Sequence, residues 1–136
     1  MILVRLMLLA AISLGVMGAT APSPEYAAGQ VWEYHTRPGD EGSLLRIQKI
    51  EQLEKIGPVY HISVIGVHFA RAPLNGVLQH LPVSKATLDA SVTHLSSSTA
   101  AFPDPSAGIA QWRAAHGGVF TLPLAQIVSI AEQTVH

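Results

Sequence analysis

Along the chain the spacing of apolar positions changes from two to about three and a half, and each change predicts an element. From Gln30 to Arg37 the pattern alternates, with Val31, Glu33, His35 and Arg37 on one side and Trp32, Tyr34 and Thr36 on the other. Period two with aromatic residues predicts a half-buried strand. Pro38-Gly39-Asp40-Glu41-Gly42 has turn chemistry, because Pro fixes φ and Gly reaches positive φ without a steric penalty. Ser43 to Glu51 then returns as the second strand of a hairpin. Leu44, Ile47, Ile50, Leu53 and Ile56 also recur every three residues, a spacing that equally fits one face of a helix. The turn needs an antiparallel partner, which favours strand to about Glu51 and a short irregular piece after it. Beyond Gly57-Pro58, the run from Val59 to Ala70 is apolar on both faces and reads as a central strand. Residues 71–82, punctuated by Pro73, Asn75-Gly76 and Pro82, read as loop.

The period then becomes helical. Ser84 is a good N-cap, flanked by Val83 and Leu88 at the staple positions, and Leu88, Val92 and Leu95 form a buried stripe that ends at Ser96-Ser97-Ser98-Thr99. Asp104 caps a second helix with Pro105 at its first position, Ile109 and Trp112 facing the core, and Gly117-Gly118 as the stop. After an extended Val119-Phe120, Thr121 caps a last helix with Leu124, Ile127, Val128 and Ala131 on its apolar side. Strands first and helices afterwards predict an α+β fold. The expected architecture is a small antiparallel sheet of three strands, four if Val119-Phe120 joins, packed on one side by two or three C-terminal helices.

The N-terminal pattern is different again. Arg5 sits in a short basic head, Leu6 to Met17 is an apolar run, and Gly18-Ala19-Thr20-Ala21 are small. That order of head, apolar core and small residues is the layout of a secretory signal peptide. The apolar core is shorter than the roughly 20 residues of a spanning helix. An uncleaved anchor is the alternative reading, and cleavage after Gly18 or Ala19 is favoured. The division expected is therefore signal peptide over 1–19, flexible leader over 20–28 and one globular α+β domain over 29–136. The protein is expected to be exported, to the periplasm or the exterior, without a stable membrane span after cleavage.

Composition narrows the function by exclusion. The sequence holds no cysteine, which removes disulfides, thiol nucleophiles and thiolate metal sites. Eight Lys and Arg against nine Asp and Glu leave no basic face for nucleic acid and no polybasic patch for anionic lipid. No phosphate-cradling glycine loop and no Gly-x-Ser-x-Gly elbow occurs. His35, His61, His68, His80, His94, His116 and His136 are far apart in sequence, without the paired spacing of a zinc or copper site. No metal and no cofactor is expected.

The most suggestive polar grouping is Glu33, His35 and Arg37 on one face of the first strand, with Asp40 and Glu41 at the hairpin tip. These residues read first as the solvent side of an amphipathic strand and, beyond that, as a binding surface. A catalytic version would use His61 with Glu33 or Glu41 and Arg37, since carboxylate, imidazole and guanidinium together can move protons or hold an anion. Trp32 and Trp112 read as core anchors before they read as ligand platforms. The function expected is that of a non-enzymatic module binding another envelope or secreted protein, as an inhibitor, immunity or envelope accessory protein would. Glu33, His35, Arg37 and the loop at 71–82 are the expected contact. A small cofactor-free enzyme and a binder of an apolar ligand between sheet and helices are the alternatives.

Overall fold

The computed structural model describes residues 24–70 and 75–134. The expected signal peptide, residues 20–23 of the leader and residues 71–74 of the expected loop lie outside those residues. Eight elements follow one another: β1 (Val31–Tyr34), β2 (Leu44–Leu53), β3 (Gly57–Ile65), β4 (Leu78–Val83), α1 (Lys85–Ser91), β5 (Val92–Leu95), α2 (Ser106–Ala114) and α3 (Leu124–Thr134). The strands make one antiparallel sheet in the order β4-β3-β2-β1-β5. The α+β class is thus observed, with five strands where three or four were expected. No helix among the described residues is long and apolar enough to cross a membrane.

The first hairpin forms for the expected reason. Asp40 N–H donates to Arg37 O at 3.0 Å across Pro38-Gly39, and Gly39 has φ 94°, the signature of a type II turn. The second hairpin is tighter than expected. Leu53 pairs with Gly57, whose φ is 88°, so only Glu54-Lys55-Ile56 lie outside the ladder and β2 runs to Leu53.

Residues 71–82 were expected to be loop, yet Leu78–Val83 is a strand. Pro82 fits because β4 is an edge. Its carbonyl accepts from Phe120 N–H at 3.0 Å on the outer side, so its missing N–H also faces away from β3. The bridge between Val83 and Phe120 covers this edge. Val119-Phe120 therefore contributes a single bridge and not a strand.

The helix from Ser84 is also shorter than expected. Ser84 Oγ caps it by accepting from Thr87 N–H at 3.1 Å, but it stops at Ser91, and Val92–Leu95 turns back to pair with β1. β-branched Val92 and Thr93 lose less in a strand than in a helix. Leu95, expected in a buried stripe, is 58% exposed. Thr121 does not cap α3, which begins at Leu124. There the first N–H donates to Ser91 Oγ at 2.9 Å, and Ser91 in turn donates to Thr87 O.

The apolar core lies on one face of the sheet. Trp32 and Tyr34 of β1, Leu45 and Ile47 of β2, and Ile62 and Val64 of β3 meet Leu88 of α1 and Leu124, Ile127 and Val128 of α3. Tyr26 joins this side from the leader, edge-on to Trp32 and Tyr60, its hydroxyl donating to Asp89 at 2.6 Å. Residues 96–105 carry the chain from β5 over to α2 on the opposite face. There Gln48 Nε2 donates to Pro103 O at 3.0 Å and Gln79 Nε2 to Asp104 O at 2.9 Å.

Candidate functional site

The face under α2 is polar because two irregularities change the strands' parity. Ile47 pairs with Ile62 but Lys49 pairs with His61, so Gln48 is a bulge residue in β2. Before the bulge, odd-numbered Leu45 and Ile47 face the core; after it, even-numbered Ile50 packs there. A bulge reverses which residues of a strand face each side. Glu51 is thereby delivered to the face that carries His61. Likewise Ile62 pairs with Leu81 and Val64 with Leu78, which places Gln79 and His80 together opposite Ser63 on that face. The register of three neighbouring strands thus brings Glu51, His61 and His80 together.

The three side chains form one hydrogen-bonded row. His61 Nε2 lies 2.9 Å from Glu51 Oε1, and His61 Nδ1 lies 2.8 Å from His80 Nε2. An ionised carboxylate only accepts, so His61 donates through Nε2 and accepts at Nδ1 from His80 Nε2–H. The imidazole centroids are 5.0 Å apart with planes inclined by 23°. The centroid separation exceeds the nitrogen separation by about the width of an imidazole, so the rings meet edge to edge and nearly coplanar. Two nitrogens pointing at each other share a proton and leave no chelating position between them. No group of three or more metal-ligating side chains converges among the described residues.

Above the row sits α2. Trp112 stands edge-on to His61 at 4.9 Å and to His80 at 6.4 Å, and its Nε1 donates to Gly118 O at 2.8 Å. Arg113 Nη2 donates to Glu51 Oε1 at 2.5 Å. Gly108 exists for space, since a Cβ there would come within 2.6 Å of His80 Cβ. The end of α2 differs from the expected glycine stop. His116 takes the left-handed conformation at φ 51°, with His116 N–H donating to Arg113 O and Gly117 N–H to Trp112 O, a Schellman closure. Gly117 is required for a different reason: a Cβ would lie 2.2 Å from Trp112 Cδ1.

Electrostatics follow from this packing. Burial pushes His80 down to about 4, and the neighbouring His61 adds to the shift. Burial likewise lowers His61, against the opposing pull of Glu51 and with help from Lys49 and Arg113. For Glu51 burial opposes ionisation, but Arg113 and then His61 outweigh it and hold the carboxyl below the usual carboxylate range. At neutral pH the row is therefore a carboxylate and two neutral imidazoles.

Beside the row opens a groove of about 410 Å³ between α2 and the β2–β3 hairpin, lined by Glu51, Leu53, Ile56, Trp112, Arg113, His116 and Gly117. Ile56 at the hairpin tip is 54% exposed.

The residues singled out in the sequence are placed apart. Glu33 pairs with Leu44 and His61 with Lys49, a separation of about 17 Å along β2 at roughly 3.4 Å per residue. Glu33 and His35 are exposed, and Glu33 shares a shallow cleft with Glu41, Thr93 and Ser96. Glu41 accepts from Gly39 N–H at 3.0 Å. Arg37 turns the other way, to Asp40 at 2.7 Å, Glu132 at 2.7 Å and His68 O at 3.2 Å. Its bond to Asp40, followed by that to Glu132, raises its already high pKa. Arg37 is a latch between the first turn and α3. The cluster of His61 with Glu33, Glu41 and Arg37 is not assembled, because β2 and its bulge give His61 a different carboxylate. Glu51, His80, Trp112 and Arg113 are its actual neighbours. The hairpin register could have disclosed Glu51, which stands diagonal to His61 once Leu53 is paired with Gly57.

No known family model matches the chain, and no curated protein or solved structure shows significant similarity to it.

Proposed function

We propose that the chain is an exported, non-enzymatic module that binds another envelope or secreted protein through the groove between α2 and the β2–β3 hairpin. One observation carries this reading. Exposed Ile56, Leu53 and the half-buried Trp112 line a groove of about 410 Å³, room for one or two side chains of a partner, whose polar rim is the Glu51–Arg113 ion pair. Trp and Arg seated on regular elements are the residues that most often carry binding energy, and an apolar side chain from an extended partner segment is the occupant such walls fit. Export enters this reading from the N-terminal pattern alone. The enzymatic alternative has less support. Both nitrogens of His61 are engaged by Glu51 and His80, and His61 is fully buried, so the imidazole that lines the groove, His116, stands apart from the row, and the carboxylate there is already held by Arg113.

The test is affinity capture of the full chain from its source organism at neutral pH. Wild type should retain one partner at near-equal amount, and Leu53→Ser or Ile56→Ser should lose it with the thermal midpoint within a few degrees of wild type. Retention by both variants would exclude the groove. Loss on neutralising Glu33 and His35 instead would return the contact to the β1–β5 end of the sheet.

A further inference from the structure

We infer that acidification undocks the C-terminal half of α2 from the sheet and so dismantles the groove, because the row of Glu51, His61 and His80 beneath it has room for one shared proton between its imidazoles and not for two. The consequence for a bound partner rests on the groove reading above; the undocking itself does not.

The geometry distinguishes two stages of protonation. The open end of the row is His80 Nδ1, the one ring nitrogen not bonded to a neighbour. A first proton there keeps the His61–His80 bond, since His80 Nε2–H still donates to His61 Nδ1, but it puts a charge beneath Trp112 that burial disfavours. A second proton must go to His61 Nδ1, and two N–H groups would then face each other across a gap that is now 2.8 Å. The contact breaks, and like charges complete the separation. The surrounding groups favour this outcome. Lys49 of β2 and Arg113 of α2 face His61 with positive charge, against the single carboxylate of Glu51. His116, at the end of α2, lines the groove beside Arg113. Asp104, at the other end of α2, accepts from Ser106 and holds its charge through that bond.

α2 is held unevenly, which makes a partial release physically reasonable. At its start, neutral bonds from Gln48 to Pro103 O and from Gln79 to Asp104 O carry no titrating group, and Ile109 is buried. At its end, Trp112 rests on the two imidazoles and Arg113 on Glu51. The first end stays tethered, and between it and the next fixed point, where Phe120 is bonded to β4, the contacts of Trp112 and Arg113 with the sheet are to the titrating row.

The sign follows from linkage. His80 titrates at about 4 when docked and near 6.5 when α2 is lifted. The lifted form therefore binds more protons between those values, and docking is full above about 6.5 and lost as the pH falls toward 4. For His80 alone, taking the pH from 7 to 4 lowers the docking constant by about 10²-fold, and His61 adds in the same direction.

Two single-tryptophan variants of the full chain test this. Trp32→Phe leaves Trp112 as the only tryptophan, on α2, and Trp112→Phe leaves Trp32, in the core. Between pH 7.5 and 3.5, Trp112 emission should shift to the red while Trp32 emission and far-ultraviolet circular dichroism hold to a lower pH. Adding His80→Gln to Trp32→Phe should move the Trp112 midpoint down by at least one pH unit. Coincidence of all three signals, or a midpoint that ignores His80→Gln, would overturn acid undocking. If Trp112 lifts while the partner captured at neutral pH stays bound, the groove reading fails and the acid response stands.

Discussion

The two faces of the sheet are built on opposite principles. The face under α1 and α3 is apolar, and its few polar groups are closed off locally, as where Ser91 accepts from Leu124 N–H and Tyr34 O–H donates to Ser43 Oγ at 2.8 Å. The face under α2 is held by a carboxylate, two imidazoles, two glutamines and one indole. Apolar burial does not depend on pH, whereas a row of titrating groups does. The comparison teaches that one small sheet can carry a permanent core and a conditional one. A helix laid on polar residues is placed as definitely as one laid on apolar residues, but it is placed only while those residues keep their protonation states.

The largest effect expected lies on the permanent face. Leu124→Ala or Ile62→Ala removes a fully buried side chain from the main core and should cost about 3–5 kcal/mol in denaturant unfolding. A loss below 1 kcal/mol would erase the contrast, since this face would then be no firmer than the other. Acidification comes next. Lowering the pH from 7 to 4 should weaken α2's attachment by roughly 3 kcal/mol through His80, whose value moves between about 4 docked and 6.5 free, at about 1.4 kcal/mol per unit. Amide exchange confined to α2 is the measurement that reads it.

Arg37→Ala tests the latch. Asp40 is 1% exposed and accepts both from Arg37 and from His68 N–H at 2.8 Å. Leaving that carboxylate half-paired should cost about 1–3 kcal/mol, seen as a lower midpoint with capture of the groove's partner unaffected. Smallest of all, neutralising Glu33 and His35 together should change stability by no more than about 0.5 kcal/mol, as both are exposed and bond to nothing that packs. A drop beyond that would mean that the β1–β5 end has a structural duty the side-chain geometry does not display.

Much of the permanent face was legible in the sequence. Alternation over Val31–Tyr34, the Pro38-Gly39 turn, and the apolar stripe of Leu124, Ile127 and Val128 all appear where the pattern predicts them. Of the conditional face α2 itself was legible, with Ile109 and Trp112 turned inward, but the polar row beneath it was not, and the reasons are specific. The bulge at Gln48 splits β2 into two half-strands of opposite parity, which together imitate a three-residue period. β4 was hidden behind Pro82, a residue that excludes central strands but is tolerated with its nitrogen turned outward. β5 was hidden because Leu88, Val92 and Leu95 sit at helical spacing, and only the unpaired side of β1 decides that the chain turns back at Ser91. Sequence separation concealed the rest: His61 meets His80 and Trp112 through strand register, and no local spacing records that.

The most direct measurement on the two-face account is native-state amide hydrogen exchange of the full chain at pH 7 and pH 5, residue by residue. After correction for intrinsic rates, the amides of α2 at Gln111–Ala114 should exchange through a partial opening that becomes more populated at pH 5. Those of Ile62, Val64 and Val128 should exchange only with global unfolding and change little between the two conditions. Equal opening free energies for α2 and β3 at both pH values would contradict the account, because the helix would then belong to the same cooperative unit as the core.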